Sequence, residues 1–90
     1  MKNGQIDHVL ESIVEELAAI EHERWSHWQR YMHEKGTRQS DGSLVIAAEL
    51  VERWERQMET AYAELSQKEK ESDREQVRKY LPTIKKALKG

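Results

Sequence analysis

Ninety residues suffice for one domain but not for a large core. Charged side chains make up 36% of the chain, yet the formal net charge is only -2, which argues against a bulk polyelectrolyte; the 37% of hydrophobic residues, arranged periodically, argue against a disordered chain. There are no cysteines, which excludes disulfides, thiol catalysis and cysteine-built zinc or iron–sulfur sites, and fits a reducing compartment.

The opening "MKNGQIDHVLESIVEE" is interrupted by Asp7, Glu11 and Glu15 and lacks the apolar stretch of a secretion signal. No run approaches the ~18 apolar residues of a membrane span. The expectation is a cytoplasmic protein without membrane association.

From about 5 to 35, Val9, Leu10, Ile13, Val14, Leu17, Ile20, Trp25, Trp28 and Met32 recur at helical spacing and predict one long amphipathic helix, capped by Asn3 or Asp7 and stopped by Gly36. Such a helix is roughly 45 Å long, more than the rest of this chain can easily cover. Part of its stripe is therefore expected to face a second copy in a homodimer. "GTRQSDGS" reads as a polar loop, and 44–46 as extended. A second helix over about 47–59 carries Leu50, Val51, Trp54 and Met58 on its apolar face. In "TAYAEL", Tyr62 and Leu65 are expected to plug the core. "SQKE" is a capping box that opens a helix with no apolar residue from 66 to 76, supported by pairs such as Lys70–Asp73, Glu71–Arg74 and Glu75–Lys79. Val77, Leu81, Ile84 and Leu88 then form a short docking stripe, broken or kinked by Pro82. The fold class is all-α, a single domain of three to four helices in which the long first helix packs on the middle helix and the charged last one.

The question for function lies in "EHERWSHWQRYMHE". With Leu17 at zero and about 100° per residue, Leu10 and Trp28 fall near +20°, Val14 and Met32 near +60°, and Ile13 and Tyr31 near -40°, while Glu21 falls near +40° and Arg24 near -20°. Both charges sit inside the apolar stripe, where an unpaired charge costs several kcal/mol. Three arrangements answer this. Glu21 and Arg24 pair with each other or with the last helix; or they line a pocket with Trp25, Trp28, Trp54 and Tyr62, in which Arg24 anchors an anionic, nucleotide-like small molecule between aromatic planes; or they fix the register of a dimer seam. The large aromatic and methionine positions also have a plainer reading, as core pieces in a chain without phenylalanine. Tyr80 is expected at the rim with its hydroxyl in water.

Other chemistry finds little support. "HERWSH" resembles H-E-x-x-H, but its second histidine stands at i+5, off the face a zinc site needs. The four glycines are isolated, so no phosphate loop or dinucleotide fingerprint is present. No nucleophile has an evident base, which argues against an enzyme and against a bound cofactor or metal. Residues 74–90 hold six Lys/Arg against one acid, +5, so residues 1–73 carry -7. That basic tail on an acidic body suits a helix C-terminus or another subunit, with nucleic acid the lesser alternative.

Two stretches, "LAAIEHERWSHW" and "YAELSQKEKESDREQVRKYL", together resemble the first helix and the closing segment of the ryanodine-receptor-type repeat domain, small free-standing versions of which are bacterial and phage products. The resemblance covers about a third of the chain. Between the two stretches a helix stands where the family has a Gly-Trp-x-Tyr-Gly-like strand and a Lys-x-His-Pro loop. The resemblance implies that the first helix packs on the Asp73-Arg74 helix, with Glu21 or Arg24 meeting Asp73 or Arg74. It also implies adenine-nucleotide-like ligands. The resulting expectation is a non-enzymatic binding module that sequesters a nucleotide-type molecule with Glu21, Arg24, Trp25, Trp28, Trp54, Tyr62 and Arg74; the alternative is a homodimeric assembly module that uses the long first helix.

Overall fold

In a computed structural model that describes residues 2–90, the chain is all-α apart from one short hairpin. The predicted first helix is two helices, α1 (Asn3–Ser12) and α2 (Val14–Lys35), broken at Ile13, which leaves helical geometry at φ -107° and ψ 5°. Neither proline nor glycine causes the break. The Ser12 hydroxyl donates to the Val9 carbonyl at 2.6 Å, a back-bond of the kind that bends helices. Gly36 ends α2 with its N–H on the His33 carbonyl at 3.2 Å.

The expected polar loop contains strand β1 (Thr37–Arg38), which pairs antiparallel with β2 (Leu44–Val45) in the stretch expected to be extended, with Thr37 opposite Val45 and Arg38 opposite Leu44. Gly42 supplies the positive φ of 90° that the tip requires. The Asp41 carboxylate accepts from the Ser43 N–H at 2.9 Å. Then come α3 (Ala48–Glu59), a 3₁₀ turn (Tyr62–Glu64), α4 (Gln67–Arg78) and α5 (Leu81–Lys89). The capping box forms as predicted: the Ser66 Oγ accepts from the Glu69 N–H at 3.2 Å, and Glu69 Oε1 accepts from the Ser66 N–H at 3.1 Å. Pro82 sits in the first turn of α5, where its missing N–H costs nothing.

α5 lies against α1, and α4 against α5, while α2 meets α3 through aromatic rings. The outcome is an elongated body of 55 × 34 × 17 Å. Its radius of gyration is 18.1 Å, where a compact 90-residue domain has about 12 Å. Among the described residues only Ile13 is buried, at 6% exposure. The expected core positions fare differently: Trp25 is 54% and Trp28 43% exposed, and Tyr62 lies half in water rather than plugging a core. Leu65 is intermediate. On α3, Leu50 and Trp54 are partly covered, but Met58 is 77% exposed. This open packing follows from the sequence. A charge-rich chain folded into thin helices has too few apolar residues to wrap a rod this long.

Candidate functional site

The two charges of the stripe resolve into a clasp. Arg24 donates from Nε to Glu21 Oε2 at 3.1 Å and from a terminal Nη to Oε1, and the Tyr80 hydroxyl donates to the same carboxylate from the start of α5. Tyr80 therefore does not leave its hydroxyl in water; it ties the C-terminal segment to the middle of α2. The guanidinium and the phenol together hold the Glu21 carboxyl down at about 2, while the carboxylate raises both Arg24 and Tyr80 above their usual ranges. The clasp is not sealed, since about half of each side chain in the ion pair stays in solvent.

Asp73 and Arg74, the partners that the resemblance implies, are not the ones that close it. Arg74 bonds Glu71 at 3.2 Å, and Arg78 reaches Glu71 as well, so Glu71 carries the local network of α4. Both arginines hold the Glu71 carboxyl below its usual range. Of the expected α4 pairs, Glu71–Arg74 is present, whereas among the described residues Lys70–Asp73 and Glu75–Lys79 are not joined. Lys70 instead lies over the Tyr62 ring at 5.7 Å, and Lys79 bonds Gln76.

The aromatic residues divide into two groups. Trp28 stacks on Tyr31 at 5.4 Å and meets the Trp54 edge at 5.9 Å, which pins α3 to the end of α2. Among the described residues Trp25 stacks only on His22, at 6.1 Å. Tyr62 sits beside α4. The seven residues singled out from the sequence thus fall into three places: Glu21, Arg24 and Trp25 on mid-α2, Trp28 with Trp54 at the α2–α3 contact, and Tyr62 with Arg74 near α4. Nothing in the sequence points to Tyr80, since a lone tyrosine two residues before a proline carries no sign of a partner 59 residues away.

Two open grooves lie elsewhere, along α5. One, of about 630 Å³, is lined by the apolar Leu81, Pro82, Ile84 and Leu88 and the basic Arg78, Lys85 and Lys89. The other, of about 440 Å³, is lined by Pro82, Lys85, Lys86, Lys89 and Gly90. Both are open, and neither includes Glu21, Arg24 or a tryptophan. Among the described residues no group of three or more His, Asp or Glu could hold a metal ion, and no helix is long and apolar enough to cross a membrane.

The surface itself is the dominant feature. On α1–α2, Ile6, Val9, Ile13, Ile20 and Tyr31 occupy one flank of the stripe and are at least partly covered. Leu10, Val14, Trp25 and Trp28 occupy the other flank, at about +20° to +80° on the same wheel, and stay about half exposed. No family model matches the chain, and neither a curated protein nor a solved structure matches it.

Proposed function

We propose that the chain is a non-enzymatic protein-interaction module, and that α1–α2 is the surface it offers. The observation that carries this is the mismatch between surface and mass. The chain exposes 7603 Å², where a compact monomer of 10.7 kDa exposes roughly 5,500 Å². The excess of about 2,000 Å² is what one partner contributes to a large, obligate interface. Isolated apolar side chains on a surface need no explanation, but four large ones on one flank of a rod do.

A second reading, a nucleotide-type ligand, draws on the open face of Trp25 beside Arg24. It is the weaker one, because Arg24 already spends Nε and one Nη on Glu21.

Sedimentation equilibrium combined with thermal melts over a hundredfold range of protein concentration tests both. An assembly module gives a mass above one chain and a Tm that rises with protein concentration. A ligand module gives a monomer whose Tm rises with added nucleotide instead. A folded monomer whose Tm depends on neither overturns both readings.

A further inference from the structure

The flank of α1–α2 that leaves Leu10, Val14, Trp25 and Trp28 about half exposed carries a spacing that selects a partner. With the partly covered Leu17 and Met32 and the clasp residue Glu21, its positions are Leu10, Val14, Leu17, Glu21, Trp25, Trp28 and Met32. The intervals read 4, 3, 4, then 4, 3, 4, so the stripe is symmetric about Glu21. Three- and four-residue intervals are those of a helix-pairing seam, and the double four at Glu21 is the kind of local irregularity that relaxes its supercoil. Six of the seven lie on the unbroken α2, over about 27 Å.

We infer that this flank is covered by a second copy of the chain, running antiparallel, with the two-fold axis at Glu21. The inference rests on the assembly reading above and adds partner, direction and register. Symmetry of spacing is what an isologous contact requires, since each residue must then meet the residue equally far beyond the axis. Leu17 of one protomer then faces Trp25 of its partner, Val14 faces Trp28, and Leu10 faces Met32. In the two inner layers the smaller side chain, Leu17 or Val14, meets a tryptophan, so antiparallel pairing sets large against small there, while Leu10 and Met32 in the outer layer are alike in volume. Parallel pairing would set tryptophan against tryptophan and valine against valine. At the axis, Glu21 and Arg24 of both protomers form a neutral four-charge cluster, which gives the clasp a task beyond pairing within one chain. Tyr80 keeps the Glu21 carboxylate in place. The whole chain's excess of about 2,000 Å² over a compact monomer leaves room for the ~800 Å² per partner of a standard interface.

The chain has no cysteine, so introduced ones report unambiguously. Leu17→Cys and Trp25→Cys proteins are made separately, checked for helicity, and oxidised alone and as an equal mixture. The antiparallel register predicts a disulfide in the mixture, in up to about half of the chains, the statistical share of mixed dimers. It predicts none in either protein alone, because identical positions stand roughly 12 Å apart along the axis, beyond the ~7 Å Cα reach of a disulfide. If either variant loses helicity, Val14→Cys with Trp28→Cys replaces the pair. Crosslinking of each protein with itself means a parallel seam, and a dimer that crosslinks in neither sample means a different face. Either result overturns this inference and leaves the assembly reading standing. A folded monomer overturns both.

Discussion

α2 and α4 both leave much of their surface in water, but on opposite terms. α4 meets solvent with charges. Its start is closed by the Ser66–Glu69 box, its middle by Glu71 with Arg74 and Arg78, and Gln57 of α3 donates to Glu69 at 2.8 Å. Such a helix needs little packing, because local pairs and caps supply what burial would. α2 meets solvent with tryptophan, valine and half of an ion pair. It has no side-chain cap at its start, and its clasp is shared with Tyr80. One exposed helix is finished and the other is half of something, and what separates them is which side chains face the water.

The largest effect that sharpens this contrast is at Ile13. Ile13→Ala removes the one buried apolar side chain among the described residues, at the break where α1 turns into α2. It should cost about 2–5 kcal/mol, read by urea denaturation at fixed protein concentration. Val77→Ala on α4, where the side chain is 56% exposed, should stay within about 0.5 kcal/mol. Comparable losses at the two sites would mean that α4 has a hidden partner. Ser66→Ala comes between them. Removing the cap from a helix with no apolar face until Val77 should cost about 1 kcal/mol, and the loss of helicity should be confined to 66–78 by amide exchange.

These regions were also unequally legible in the sequence. The capping box, the Gly36 stop and the α3 span follow from local chemistry, and the structure keeps them within a residue. Periodicity runs smoothly through Ile13 and so predicts one continuous first helix. A serine back-bond leaves no mark on an apolar pattern, so the break could not be seen. Glu21 and Arg24 stood out because charge inside an apolar stripe contradicts the pattern around it. Their mutual pairing was readable from i,i+3 spacing, whereas Tyr80 was not, since contacts across 59 residues depend on how α5 lies on α1. Trp25 and Trp28, expected in the core, stay about half exposed for a related reason. Spacing shows which residues share a face, but what covers that face depends on how the other helices lie, and α3, α4 and α5 leave Trp25 and Trp28 about half exposed.

The smallest effect tests the clasp itself. Glu21 has its folded-state pKa lowered from 4.5 to about 2, so the unfolded chain takes up the proton first as pH falls. The stability it contributes is complete above about 4.5 and is lost as pH drops towards 2. Glu69 and Glu71 are lowered too, so they share the acid limb, and only the difference between proteins isolates the clasp. Glu21→Gln should therefore lie below the unaltered protein in Tm at pH 7 and converge with it near pH 2. Tyr80→Phe should do the same to a lesser degree, because Arg24, which does more than Tyr80 to lower the Glu21 carboxyl, remains. It should also flatten the alkaline limb. Tyr80 is raised above 10, so its contribution is present below that pH and is lost as pH rises past it. Added salt should shrink both differences, since the ion pair is half in water. If the gap at pH 7 instead persists in salt and grows with protein concentration, the carboxylate is being shielded by a second chain. Mid-α2 would then be an interior position in the assembled protein, in contrast to α4, whose charges would still titrate as a solvated surface.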